Sequence, residues 1–347
     1  MLPNWIGDVV MATPTLRALH KHYAGEAELV GIMKPYVSRV LEHTPWIAHY
    51  EFYDRKSKDP KLGTGNLVSR LRQHRLDTIV LLTNSLRAGA IAWLSGAKHR
   101  VGYARYGRTI LLTNALDPPR EGRKLKPISA IDYYLGLAHA VGCPVESPQM
   151  ELATSAEDEA VTDHVWKQLG LNQQRAVITF NTGGAYGAAK HWPTENYVGL
   201  ARRIVESHPD VAVLIICGPA EKETAAWIAQ EVDHERVHSM ADQDLSLGVA
   251  KACVKRSQLL VTTDSGPRHF APAFNVPVIT LFGPIDARWS DSHHPRAINL
   301  SHPVDCGPCG KRVCPLGHHR CMRGLTVDHV YHAVQQQLAQ IPRRHAA

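Results

Sequence analysis

Four apolar runs in the second half of the chain, at 176–181, 211–217, 259–262 and 278–282, each close in small residues. The closing residues are Thr182-Gly183-Gly184, Gly218-Pro219, Asp264-Ser265-Gly266-Pro267 and Gly283-Pro284. Runs this short and this continuous suit strands buried on both faces of a parallel sheet. Helical patterns at 196–207, 221–231 and 244–255 stand between them, and that alternation demands an α/β domain. One further strand, near Val237, is ill defined. The sharpest stretch is 259–274, LLVTTDSGPRHFAPAF. It predicts a strand, a tight Ser-Gly turn and a helix with Pro267 and His269 in its first turn, where a missing N–H does no harm. Backbone N–H groups then point at one spot beyond the strand's carboxyl end, a place suited to phosphate. A corner merely capped by Asp264 or Ser265 is the alternative reading.

The first half alternates in the same way. Strands are expected at 28–33, 46–53 and 78–82, with short pieces at 100–102 and 110–113. Helices are expected at 9–23, 35–41, 67–74, 85–94 and 131–141. Residues 2–8, LPNWIGD, read as a loop entering a helix, which in an α/β domain follows a strand. We expect that strand to lie upstream of Met1. A linker with two prolines at 142–153 separates this half from a helix at 156–169. The boundaries are therefore 1–153, 154–325 and a closing helix with its tail, 326–347.

Charge is divided unevenly between the halves. Residues 1–150 hold 20 Lys+Arg against 12 Asp+Glu, whereas the remainder holds 19 against 20. The excess gathers in two loops, 55–65 with Lys56, Lys58 and Lys61, and 120–126 with Arg120, Arg123 and Lys124. The first half thus faces an anionic partner, against the alternative of a merely well-solvated surface. Nucleic acid fits poorly, because no recognition-helix signature is present and no aromatic residues interleave with these charges. No apolar run approaches the roughly 20 residues that span a bilayer, and no cationic-then-apolar leader is read at the start. A cytoplasmic protein is expected.

Three groups of residues could do chemistry. Asp8 stands at a loop–helix junction, where it serves either as a general base or as a helix cap. After the strand at 176–181, the glycine loop at 182–188 leads to Lys190, a charge suited to a diphosphate. It lacks the Gly-Lys-Ser/Thr of a Walker loop and the Gly-x-Gly-x-x-Gly of a dinucleotide site. The third group is Cys306-x2-Cys309-x4-Cys314-x6-Cys321, with His318 and His319 inside it. Four soft ligands at this spacing suit a structural zinc ion or an iron–sulfur cluster, against the alternative of four reduced thiols in a loop.

The stretches LPNWIGDVVMATPTLRAL at 2–19, AKHWP at 189–193, TTDSGPRHFAPAF at 262–274 and FGP at 282–284 resemble the ADP-heptose:lipopolysaccharide heptosyltransferase family, and within it the heptosyltransferase II type. The resemblance covers nearly the whole chain. It implies a GT-B fold, two Rossmann-like domains facing across a cleft, with acceptor on the first and sugar nucleotide on the second. It implies that Asp8 is the general base, and that Lys190 contacts the donor phosphates. Asp264, Ser265, Gly266 and His269 would surround the diphosphate and heptose, with Thr182 in the neighbouring loop. Gly218, Glu221 and Gly283, at the ends of two further strands, complete the donor crevice that the strand ends themselves suggest. The reaction implied is inverting transfer of heptose from ADP-L-glycero-D-manno-heptose, without a catalytic metal. The acceptor implied is a phosphorylated lipid A–core sugar, heptosyl-Kdo-lipid A, at the cytoplasmic face of the inner membrane. The two basic loops match its phosphates. A GT-B glycosyltransferase with another donor or acceptor stays open, as does a basic, metal-containing nucleic-acid-binding protein.

Overall fold

Residues 1–184 and 186–341 are described by the computed structural model. Ala185 in the glycine loop and 342–347 of the expected tail lie outside it. The chain divides into two units, Met1–Ala153 with Arg288–Ser292, and Thr154–Ala287 with the residues from His293 on.

The first unit holds two parallel sheet pieces. One pairs β1 (Val30–Met33) with β2 (His49–Phe52), and the other pairs β3 (Thr78–Leu81), β4 (His99–Tyr103) and β5 (Asn114–Leu116) in that order. Met1 and Leu2 lie between the two pieces. Leu2 N donates to Ile32 O at 2.9 Å, the Met1 amine to Val80 O at 2.7 Å, and Leu82 N to Met1 O at 3.1 Å. Burial pushes that amine's pKa down to about 5, so it donates as a neutral group at pH 7.

The single helix expected at 9–23 is two, Ile6–Met11 and Thr13–His22, meeting at Ala12. Pro14 has no N–H to continue the first ladder and instead opens the second helix. The strand expected at 110–113 is displaced. Thr109–Leu111 is a 3-10 turn and the pairing residues are Asn114–Leu116. Buried Arg108 anchors the turn by donating to Tyr103 O and Asn84 Oδ1, at 3.0 and 3.1 Å. The two basic loops have structure of their own. Asp59 caps a 3-10 turn at Pro60–Leu62, and the second loop is a hairpin of β6 (Arg120–Glu121) and β7 (Lys124–Leu125), turned at Gly122 with φ of 59°.

The second unit is one six-stranded parallel sheet. Its strands are β8 (Ala176–Asn181), β9 (Val211–Ile216), β10 (Val237–Ser239), β11 (Leu259–Thr263), β12 (Val278–Phe282) and β13 (Ala297–Ser301). They are ordered β10-β9-β8-β11-β12-β13, the doubly wound order 3-2-1-4-5-6. Every residue of β8, β9, β11 and β12 is buried, which is why their sequences carry no polar alternation. β13, with its half-exposed face, gave no such signal. Ala156–Gln168 begins in a capping box of Ser155 and Asp158. Thr194–Ser207, Lys222–Val232 and the closing helix Val327–Leu338 bury apolar faces in the unit's main core with Phe180, Tyr197 and Ile279.

Among the described residues no helix is long and apolar enough to cross a membrane. Ile279, fully buried in β12, tests the core directly. Ile279→Ala should cost about 2–5 kcal/mol in urea unfolding, the range for a buried isoleucine that leaves a cavity. A loss below about 0.5 kcal/mol, within the range of a surface substitution, would place Ile279 at the surface.

Candidate functional site

In a doubly wound sheet, ligands bind beyond the carboxyl ends of the strands where the order reverses, because chains leaving the two central strands diverge there. In the second unit that point lies between β8 and β11. Beyond β8 come Thr182, Gly183 and Gly184, and beyond β11 come Asp264, Ser265 and Gly266. Asn181 ties the two ends together, donating through Nδ2 to Thr262 Oγ1 at 2.9 Å and to Ser265 Oγ at 2.8 Å. Thr263 Oγ1 adds a bond to Gly183 O at 3.2 Å.

The charges of the site are nearly out of water. Lys190 is 8% exposed, Asp264 7% and Arg268 2%. Lys190 Nζ donates to Asp264 Oδ2 at 2.5 Å and to Asp264 O at 2.9 Å, and Arg268 Nη1 reaches the other carboxylate oxygen at 3.0 Å. Burial by itself would raise the Asp264 pKa. Arg268 and Lys190 outweigh it and hold the carboxyl below its ordinary range. Two cations against one carboxylate leave the cluster with a net positive charge. Lys190 spends two of its three donors on Asp264 and also lies 4.3 Å from the centre of the Tyr186 ring.

Two buried polar atoms beside this cluster have no protein partner, Thr182 Oγ1 and His269 Nδ1. Such atoms cost roughly 1–3 kcal/mol each unless a ligand or water meets them. Burial, then the Arg268 charge, drives the His269 pKa well below its ordinary value, so the ring is neutral at pH 7. Positive charge with unspent hydrogen-bonding groups at a sheet reversal is the composition of an anion site.

Other residues expected here have different surroundings. Glu221 accepts from Gly218 N at 3.0 Å, and its carboxyl lies against Gly183, where an added Cβ would fall 2.7 Å from it. Gly283 is a packing position, since a Cβ there would fall 2.4 Å from Met322 Sδ. The helix expected after Gly266 is only a 3-10 turn, Gly266–His269, and one short helical segment, Phe270–Ala273. It stops at Asn275, which takes a left-handed φ of 57°. The positive charge of the site therefore comes from side chains more than from a helix dipole. Arg268 escaped the sequence reading. Its signal was the four-residue spacing from Asp264, which the structure uses as an ion pair.

In the first unit Asp8 is the third residue of the helix Ile6–Met11, whose cap is Trp5. The cap reading of Asp8 is thereby replaced by a position inside the first turn. Buried Tyr134 faces it, with its hydroxyl 3.4 Å from Asp8 Oδ1. Burial, then the Asp8 charge, raises the Tyr134 pKa far above its ordinary value, so the phenol stays protonated. Lys56, Lys58, Lys61, Arg120, Arg123 and Lys124 are all exposed, and among the described residues none joins an ion pair.

Cys306 and Cys309 are exposed, Cys314 and Cys321 half-buried, and all four line one cavity with His318 and His319. Among the described residues no three His, Cys, Asp or Glu side chains meet as a coordination group.

A six-stranded parallel sheet in the order 3-2-1-4-5-6 makes the second unit a Rossmann-like α/β domain, and the whole chain has the GT-B type of fold. It is similar to a solved glycosyl transferase family 9 structure from Veillonella parvula, with TM-score 0.80 and 21% identity over 98% of this chain and 96% of that one. It is likewise similar to the structure of E. coli ADP-heptose lps heptosyltransferase II, with TM-score 0.77 and 22% identity over 98% and 97% of the chains. In sequence it is 24% identical to lipopolysaccharide heptosyltransferase 2 of Escherichia coli K12, over 97% of each protein. The model of glycosyltransferase family 9 (heptosyltransferase) matches residues 64–320. The chain belongs to this family and is a glycosyltransferase.

The neutral, buried His269 makes the site sensitive to acid. The unfolded chain takes up a proton below about pH 6.5 that the folded protein refuses, so this stability is full above that pH and is lost as pH falls. Wild-type unfolding free energy should fall below pH 6.5 with a slope approaching about 1.4 kcal/mol per pH unit, and His269→Gln should flatten that slope. Identical pH profiles for the two proteins would show that His269 is freely protonated in the fold.

Proposed function

We propose that the protein transfers heptose, with inversion, from ADP-L-glycero-D-manno-heptose to the inner core of lipopolysaccharide, onto a heptosyl-Kdo-lipid A acceptor. The observation that carries this reading is the buried Lys190–Asp264–Arg268 cluster, with its excess positive charge and the two unpaired atoms on Thr182 and His269. The names of the relatives supply the sugar and the acceptor class.

The chemistry has two demands. The departing nucleoside diphosphate gains charge as the anomeric C–O bond breaks, and fixed cations meet that charge without reorganisation. Lys190 supplies the donor-side positive charge, held in place by Asp264. Arg268 keeps Asp264 ionised, and the Thr182 hydroxyl and His269 ring hydrogen-bond the donor. In this reading the protein's own cations neutralise the leaving group. The acceptor hydroxyl must lose its proton as it attacks from the opposite face, and Asp8 is the base that takes it. Tyr134 donates to the Asp8 carboxylate and holds its orientation.

Lys56, Lys58, Lys61, Arg120, Arg123 and Lys124 meet the phosphates of the acceptor, which is presented at the cytoplasmic face of the inner membrane. Their exposure and lack of ion pairs leave that charge available. Nothing in the fold carries the nucleic-acid alternative further.

The test separates base from donor site. Asp8→Asn should lower kcat by roughly 10²–10⁴ while ADP binding is nearly unchanged. Lys190→Ala should cost about 2–4 kcal/mol in transition-state stabilisation, the size of a lost oxyanion donor. Calorimetric titration should rank ADP above UDP, GDP and NAD. Normal transfer by Asp8→Asn would move the base elsewhere, and tighter binding of another nucleotide would change the donor.

A further inference from the structure

Between β13 and the short helix Arg320–Arg323, the segment 302–319 has no regular secondary structure. Loops this long are uncommon in a compact domain unless something holds them. Apolar packing does not. None of the core hydrophobics falls between Phe282 and Met322, and Val313 and Leu316 are 68% and 62% exposed. Segments that cannot bury enough apolar surface use disulfides or metals instead.

The materials for a metal staple are present. Cys306, Cys309, Cys314 and Cys321 line one cavity with His318 and His319. Cys306 Sγ lies 3.8 Å from His318 Nε2. The backbone N–H groups of His319, Leu316, Gly317 and His318 turn toward the Cys314 sulfur.

The middle of this segment is bonded to the donor-site turn. Gly310 O accepts from the Tyr186 hydroxyl at 2.8 Å, and Arg312 O accepts from Ala189 N at 3.0 Å. The Arg312 guanidinium lies 5.1 Å from the Tyr186 ring, on which Lys190 also rests. Gly187 has to be glycine for this contact, because its φ is 151° and a Cβ would lie 2.4 Å from Arg312 O. Gly310 and Arg312 sit between Cys309 and Cys314, so whatever fixes those two cysteines also fixes the turn that carries Lys190.

We propose that the four cysteines bind a single thiolate-coordinated metal ion, zinc or mononuclear iron, and that this ion positions Lys190 for the donor diphosphate. Four thiolates at these spacings match a closed tetrahedral site. Binding requires the sulfurs to rotate inward from their present positions, and each thiol releases its proton to solvent as the metal–sulfur bond forms. The positioning role rests on the donor reading of Lys190; the metal site does not.

Elemental analysis of protein purified without chelators, with reconstitution by Zn²⁺, tests the first claim. About one zinc or iron per chain without acid-labile sulfide is expected, and its loss in the Cys309→Ser/Cys314→Ser double variant. Metal-free protein that stays metal-free after reconstitution would overturn the site, as would labile sulfide. For the second claim, ADP affinity is measured by calorimetry. The metal-free Cys309→Ser/Cys314→Ser variant should bind ADP about tenfold more weakly than metal-loaded wild type, as displaced binding groups do. Unchanged affinity in that variant would overturn the bracing role. A holoprotein that carries metal but ignores ADP would overturn the donor reading and leave the metal site standing.

Discussion

Asp264 lies between two buried cations, and the second unit's site is built around that contact. A carboxylate removed from water is strongly disfavoured on its own, and so are Lys190 and Arg268. Together they are tolerated, because Asp264 spends one oxygen on each partner and a backbone carbonyl takes another Lys190 proton. Removing any one member leaves charge in a place that water cannot reach, which is why such clusters hold their geometry firmly. The glycines around them follow from the same crowding. Gly187 gives way to the Arg312 backbone carbonyl, and the Glu221 carboxyl lies against Gly183.

In the proposed transfer, this arrangement would meet a leaving group that becomes more negative as it departs. Rigid cations in a dry pocket stabilise developing charge better than mobile cations in water, since no reorganisation is needed during the step. The first unit solves a different problem with different means. Its exposed basic hairpin and turn carry their charge in solvent, where electrostatics act at range and are screened by salt. Asp8 is half-buried in a helix's first turn, with a protonated phenol beside it.

Long-range contacts also explain how a segment with almost no apolar burial can matter to the site. Residues 310–312 touch the turn that carries Lys190, although they lie more than 100 positions later in the chain. The sequence showed the cysteines as an isolated cluster. Only the fold shows that the backbone between them braces Tyr186 and Ala189.

What the sequence determined by itself was the local grammar: which runs are buried strands, where small residues end them, and which carboxylate and lysine stand at those ends. Strands buried on both faces must be continuously apolar, and tight turns need glycine, so β8, β9, β11 and β12 could be read directly. β13 could not, because its half-exposed residues carry no such pattern. Nor could the break at Ala12 within a helical stretch, or the cutting short of the helix after His269. The tertiary structure alone decided the 3-2-1-4-5-6 order, the pairing of Lys190 with an aspartate 74 residues away, the neutrality of His269 and the single cavity shared by four cysteines. These depend on which distant segments exclude water from one another, and no local pattern of residues encodes that.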